Sequence, residues 1–289
     1  MKKVRVIYYT QTGQLKQLLD SLLGPLAEMS GVSTEYREVK PAVAYPFPWT
    51  RKAFLNVFPE TFLEAPISLQ EQPGHDQGGC DLVVLAFQPW YLSPSPPIST
   101  FLKTPEAGRM INRSPVLTVI GSRNMWQRSY ERVKEMVEFQ GGHLVGNIAF
   151  FDRAPNLVSV VTLAYWMFTG KKDCFLGMFP KPGVSEADIA GASRFGQAIG
   201  AALTGNGLDA LEDTLRKLGA AETNDSLARL ENRAKRIFNL WAEGIIKRPN
   251  IRQFLLNIFY VELIVGLIIL SPLTALWGRL MKLFKKLSG

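Results

Sequence analysis

The sequence predicts an α/β fold: a doubly wound, five-stranded parallel sheet carrying a C-terminal helical, membrane-associated extension. Three observations predict it. Short β-branched and aromatic runs alternate with helix-period segments through residues 1–203. Polar loops containing glycine or proline follow the first, third and fourth of those runs. A long apolar stretch bounded by cations closes the chain.

The elements follow in order. Val4 to Tyr9 (VRVIYY) has the composition of a buried strand. Thr10-Gln11-Thr12-Gly13 breaks it, and Leu15, Leu18, Leu19, Leu22 and Leu23 then mark one apolar face of a helix from Gln14 to Leu23. A second strand is expected near Thr34 to Val39. Tyr45-Pro46-Phe47-Pro48-Trp49, then Phe54, Phe58 and Phe62 up to Pro66, is too proline-broken for a plain helix and too aromatic for an idle loop. It reads either as a hydrophobic cover over the sheet or as a wall of a ligand pocket. Asp81 to Phe87 (DLVVLAF) is the central strand, followed by the loop Gln88 to Pro97 and a helix at Ile98 to Leu102. Val116 to Ile120 is the fourth strand, with the loop Gly121 to Trp126 and an amphipathic helix through Val137 behind it. Gly141-Gly142 leads into a fifth strand, His143 to Phe151. Such alternation implies right-handed crossovers.

Leu157 to Thr169 is apolar but short of the roughly 20 residues that a bilayer needs, so it is a core helix or a lid. Ser185-Glu186-Ala187-Asp188 is a capping-type start for a closing helix running to Leu203. Helices near Leu208 to Leu218 and Ser226 to Ile246 precede the tail. The expected division is a ligand-binding domain at 1–203, a helical linker at 204–249 and an anchor at 250–289.

Composition excludes several classes. Cys80 and Cys174 are too few and too distant for a disulfide framework and fit a reducing compartment. His75 and His143 have no Cys or acidic neighbours at ligand spacing, so no metal site is expected. The formal charge is +8. From Gly244 onward Lys247, Arg248, Arg252, Arg279, Lys282, Lys285 and Lys286 oppose Glu262 alone, so the tail holds most of that excess. The near-neutral remainder argues against nucleic acid as a partner. A basic tail around apolar sequence points instead to anionic headgroups. With no export signal at the N-terminus, the main domain is expected on the cytoplasmic face of the inner (cell) membrane.

The chemistry begins at Thr10-Gln11-Thr12-Gly13-Gln14. Hydroxyls and a glycine between strand and helix make a concavity of N–H groups at the positive end of the helix, suited to phosphate. It contains no lysine and is not the GxxxxGK[ST] loop of nucleotide triphosphatases. IYYTQTGQ resembles the flavodoxin signature, a strand followed by T/S-x-T-G-x-T/N, with Leu15 where the family usually carries a further hydroxyl. Phe87-Gln88-Pro89-Trp90-Tyr91-Leu92 and Gly121-Ser122-Arg123-Asn124-Met125-Trp126 fall where that family places its other two flavin loops. The resemblance covers about residues 1–203 and implies a flavodoxin-like fold with FMN as cofactor. The cofactor residues it implies are Thr10, Gln11, Thr12, Gly13, Gln14, Leu15, Gln88, Pro89, Trp90, Tyr91, Gly121, Ser122, Arg123 and Asn124. Trp90 reads either as an aromatic stacked on the flavin or as a residue packed against Pro94, Pro96 and Pro97.

YPFPW, FQPWYLSPSPP and the greasy tail together resemble flavodoxin-like proteins described as dialkylresorcinol condensing enzymes. That resemblance implies an FMN-dependent oxidoreductase that aromatises a dialkyl cyclohexane-1,3-dione to a dialkylresorcinol beside a ketosynthase partner. A catalytic base is not identified; Asp152, Arg153, Tyr91, Arg123 and His143 are candidates by position only. The competing readings are an NAD(P)H-dependent quinone or FMN reductase and a membrane-bound flavodoxin-type electron carrier or adaptor.

In the tail, Phe254 to Trp277 holds one charge, Glu262, and as a helix is long enough to span hydrocarbon. Ser271-Pro272 interrupts it and cations flank both ends, which favours a re-entrant or in-plane anchor over a simple crossing; the alternative is a helix buried in a dimer interface. Trp277 to Leu287 is amphipathic and expected to lie on headgroups.

Overall fold

A computed structural model describes residues 1–71, 79–205, 207–221, 223 and 225–266. His75 and the tail beyond residue 266, including the interruption at Ser271-Pro272 and the amphipathic end, lie outside the described residues.

The chain opens with β1 (Lys2–Tyr8), α1 (Gln14–Ala27) and β2 (Val32–Glu38). Two short helices, α2 (Arg51–Asn56) and α3 (Phe58–Phe62), occupy the proline- and aromatic-rich stretch. Thr50 caps α2 by accepting from the Ala53 N–H, and Pro59 sits in the first turn of α3, where its missing N–H costs nothing. β3 (Leu82–Phe87) leads into a two-stranded ribbon, β4 (Pro89–Trp90) with β5 (Ser93–Pro94). Then follow α4 (Pro96–Phe101), α5 (Pro105–Ile111), β6 (Pro115–Ser122), α6 (Gln127–Phe139), β7 (His143–Phe151) and α7 (Asn156–Thr169).

The main sheet is parallel throughout, in the order β2-β1-β3-β6-β7. That is the flavodoxin-like order, reversing direction between β1 and β3. Every residue of β3 is buried, as a central strand covered on both faces must be. On one face Leu15, Leu18, Leu19 and Leu22 of α1 meet Val4, Val6, Val84 and Leu117. On the other, Ile98, Phe101, Met110 and Val137 meet Ile7, Val83, Leu85 and Ile120.

The expected closing helix is two: α8 (Glu186–Ala190), capped by Ser185 Oγ accepting from the Asp188 N–H at 3.0 Å, and α9 (Ser193–Thr204). The break brings Gly196 of α9 against α1, where a Cβ would stand 1.9 Å from the Leu22 carbonyl oxygen. α7 is neither membrane-crossing nor a core helix. Leu157 and Val161 are exposed while Ser159, Thr162 and Trp166 face inward, so it packs on the domain's surface by one side.

α10 (Leu211–Lys217) packs beside β7, and α11 (Asp225–Ile246) runs back across α3 and α6. Glu231 of α11 is buried at the start of α6 and accepts from the Arg128 N–H at 2.7 Å; burial raises its pKa. Residues 252–266 form a further helix. Its Leu256 and Phe259 join Leu55, Phe58, Phe62, Ala242 and Ile245 in a third, separate apolar cluster. The segment read as a linker is therefore docked on the domain. Among the described residues no helix is long and apolar enough to cross a membrane.

Candidate ligand site at the carboxyl edge of the sheet

The loops after β1, β3 and β6 meet at the carboxyl ends of the strands, on the side where open α/β sheets bind ligands. The Gln11 N–H donates to Gln88 Oε1 at 3.0 Å, joining the first two loops. A Cβ at Gly121 would lie 3.3 Å from Leu15 Cδ1, so the third loop leaves the sheet directly over the start of α1.

The first loop has the features expected of a phosphate cradle. Gly13 takes φ +80, a left-handed conformation that glycine adopts without Cβ strain, and nothing would meet a Cβ there. The fourteen-residue α1 then begins with no side-chain cap and no acidic residue in its first turn. Thr10 Oγ1 is buried without a hydrogen-bond partner, and Thr12 Oγ1 is 3.5 Å from the Gln14 N–H. Lys16 is turned away, paired with Asp20 at 2.5 Å and lying over the Tyr36 ring.

Four of the sequence-derived site residues have their side chains engaged elsewhere in the protein. The Gln14 side chain is committed elsewhere: Nε2 donates to the Val184 carbonyl at 3.0 Å and Oε1 accepts from the Val184 N–H at 3.1 Å. Leu15 is buried in the core, so it can offer a ligand only its backbone. Tyr91, at φ +48, turns away from the loops; its hydroxyl donates to the Phe54 carbonyl at 2.7 Å, and burial pushes its pKa well up. Gln11 spans outward, with Nε2 donating to the Tyr45 and Pro46 carbonyls (3.3 and 3.0 Å) and the Tyr9 hydroxyl donating to its Oε1.

Trp90 stands in a nest of protein rings, edge-on to Tyr9, Tyr45 and Trp49 at centroid distances of 6.0, 5.1 and 5.4 Å. Burial raises the Tyr45 pKa to about 12, with Glu60 adding to it. Tyr45 and Trp49 thus come from the proline-rich stretch to border the ligand edge, whereas Phe54, Phe58 and Phe62 enter the third cluster.

The third loop carries Ser122 Oγ and Asn124 Oδ1, both buried without a partner, while Asn124 Nδ2 donates to Asn156 Oδ1 at 2.9 Å. Arg123 Nη1 donates to Asn156 O (3.3 Å), Asn156 Oδ1 (2.6 Å) and Ser159 Oγ (3.1 Å) at the start of α7. Burial brings its pKa down to about 10, which excludes it as a base at neutral pH. Asn156 and Ser159, which hold Arg123 and Asn124 at this edge, were not singled out from the sequence; only the polar start of an otherwise apolar helix marks them.

The remaining base candidates separate. Asp152, at the end of β7, is buried and accepts from the Ala154 and Gly183 N–H groups at 2.8 and 3.2 Å. Arg153 faces outward, over the Phe151 ring and 3.3 Å from Asp188. His143 begins β7 and so lies at the opposite edge of the sheet, where it lines a cavity of about 200 Å³ with Lys2, Asp81 and Leu203.

No protein-family model matches the chain, and no curated protein matches it. Among solved structures, a flavoprotein from Lactobacillus acidophilus NCFM in complex with FMN is similar at 18% identity, covering 52% of this chain and 93% of that one, with a TM-score of 0.41. A putative flavoprotein from Bacteroides uniformis is similar at 14% identity, 57% and 97% coverage and a TM-score of 0.41. A flavodoxin from the domain Archaea is similar at 10% identity, 70% and 99% coverage and a TM-score of 0.35. At that distance these likenesses carry no argument about activity, and the fold assignment stands on the strand order.

Proposed function

We propose that the chain is an FMN-binding oxidoreductase that works on a hydrophobic substrate at a membrane surface. The observation that carries the cofactor reading is Thr10 Oγ1, a buried hydroxyl without a partner just before the left-handed Gly13 and an uncapped helix. A phosphate monoester fits that donor set, since N–H groups at a helix start and a hydroxyl can hold it without a cation. Thr10, Thr12 and the backbone of residues 11 to 15 would hold the phosphate, with Gln11 releasing Tyr45 and Pro46 to admit it. Gln88, Pro89 and Trp90 belong to the loop that would border the ring, and Gly121, Ser122 and Asn124 to the loop opposite.

When bound, FMN supplies a two-electron sink. The chain itself orients the reactants through the two polar loops and excludes water with Tyr9, Tyr45, Trp49 and Trp90. The finer reading keeps the resemblance to the dialkylresorcinol group, with a dialkyl cyclohexane-1,3-dione as substrate and a ketosynthase as partner. An apolar substrate suits the exposed stripe Phe254, Ile258, Val261 and Val265 on the last described helix. The sequence that follows in the chain, LIILSPLTALW, is apolar, and its basic surroundings favour anionic lipid.

Two measurements test these readings. Purified full-length protein should show a flavin absorption spectrum, release FMN on denaturation and rebind it; a colourless protein that FMN does not reconstitute would overturn the cofactor. Replacing Phe254 and Val261 by serine leaves the buried Leu256 and Phe259 in place and should lower sedimentation with anionic vesicles several-fold. Unchanged sedimentation of the folded variant counts against a lipid-facing tail.

A further inference from the structure

The helix behind the third loop, α6, begins without a cap from its own sequence. Trp126 holds the N-cap position and supplies no side-chain acceptor, and in the first turn Gln127 Oε1 and Ser129 Oγ are buried without partners. The N–H groups that open a buried helix end need an acceptor. It comes from the far end of the chain. Glu231 of α11, 2% exposed, accepts from the Arg128 N–H at 2.7 Å through Oε2. The Gln127 and Trp126 N–H groups act on the same carboxylate, although its Oε1 has no partner at hydrogen-bond geometry.

The place of Glu231 on α11 makes that contact informative. In helical steps, residues 231, 238, 242 and 245 share one face, and Phe238, Ala242 and Ile245 pack into the third apolar cluster. An apolar side chain at 231 would continue that face, whereas a carboxylate there loses its hydration. The start of α6 offsets that loss through a charge-assisted hydrogen bond and the positive end of a thirteen-residue helix. The third loop is thereby held at two points from outside the sheet. Asn156 and Ser159 of α7 hold Arg123 and Asn124, and Glu231 of α11 holds the end at Trp126 to Arg128. Ser122 and Asn124, each with a buried oxygen lacking a partner, lie on or beside that held segment.

We propose that Glu231 is a positioning residue for the third ligand loop: it caps α6 from α11, so the C-terminal helices form part of the scaffold of the ligand site. The ligand in this statement rests on the FMN reading; the cap does not. The order of the chain hides the link, since Glu231 lies more than a hundred residues beyond the loop that it fixes.

The test uses the full chain: wild type, E231A, E231Q and, as a control on the exposed side of α11, E243Q. Hydrogen exchange is followed at residues 121–128 and at the cradle, residues 10–16, and FMN is titrated by its fluorescence under conditions where every variant is folded. E231A should speed exchange at 121–128 about tenfold, the scale of a lost helix cap, leave the cradle unchanged and weaken FMN several-fold. E231Q keeps an oxygen acceptor and should retain most of both, and E243Q should match wild type. A purely structural glutamate would instead speed exchange evenly through α6, α11 and the sheet and leave FMN affinity alone, and that result overturns the proposal. Unchanged exchange at 121–128 in E231A overturns it as well. A wild type that takes no FMN removes the cofactor reading, and the exchange pattern then decides by itself whether Glu231 fixes the loop. Should E231A fail to fold, E231D withdraws the carboxylate by one methylene, and exchange and FMN affinity both unaltered in that variant overturn the proposal equally.

Discussion

Trp90 and Tyr91 are consecutive residues, yet they belong to regions built by different rules. Trp90 points to the carboxyl edge of the sheet, among loops whose half-buried Thr10, Ser122 and Asn124 side chains each leave a buried oxygen without a partner. Tyr91 points the other way, into an annex made by α2, α3, α11 and the helix at 252–266. There Phe58 stacks on Phe259 with ring centroids 3.9 Å apart, and Phe238 closes the cluster edge-on to both. The polar ring tips in the annex are satisfied: the Tyr91 hydroxyl reaches Phe54 O, and Trp241 Nε1 reaches Glu262 at 2.8 Å. Among the described residues, Thr61 Oγ1 and one oxygen of Glu231 in α11 are buried there without a partner. One region gains stability from apolar burial; the other holds a group of polar atoms without protein partners, which is costly unless something else meets them.

The largest effect that tests this contrast falls on the annex. Phe259→Ala removes a fully buried ring that touches Phe58, Phe238 and Trp241, and should cost about 3–5 kcal/mol of stability in denaturant unfolding. Because Tyr91 is anchored on the same cluster, the loss should carry to the loop after β3, read as faster hydrogen exchange at residues 88–92. A cost below about 1 kcal/mol, or exchange confined to the helix at 252–266, would mean that the annex is an independent appendage.

The sheet was legible because its signals are local. β3 reads as a continuous apolar run since both its faces are covered, and Gly13 marks a turn that only a left-handed residue completes. The roles within the site were less legible, because they depend on partners distant in sequence. Gln14 resembles a cradle residue until Val184, brought beside it by the chain after α7, takes both ends of its amide. Tyr91 counts as a cofactor-loop residue in the sequence until its left-handed backbone turns it toward Phe54. The annex itself required knowing that the helix at 252–266 returns to α2, where Arg51 lies over Tyr260 at 4.7 Å. An aromatic run and a greasy tail announce apolar surface but not which other surface covers it.

The smaller and more discriminating change is Thr10→Val. It keeps the shape of the side chain and deletes one hydroxyl that has no partner in the folded chain. Removing a buried hydroxyl that makes no hydrogen bond should leave stability unchanged or raise it by up to about 1 kcal/mol, because an uncompensated desolvation cost is lost. The same change deletes a donor from the cradle and should weaken FMN about tenfold, near 1.4 kcal/mol, by titration of flavin fluorescence. The opposite signs are the informative part. A purely structural threonine would lower stability and leave FMN affinity alone, as Thr50→Ala should do by uncapping α2 on the annex side. If Thr10→Val behaves like Thr50→Ala, the carboxyl edge is built by the same rule as the annex, and the phosphate cradle is lost with the distinction.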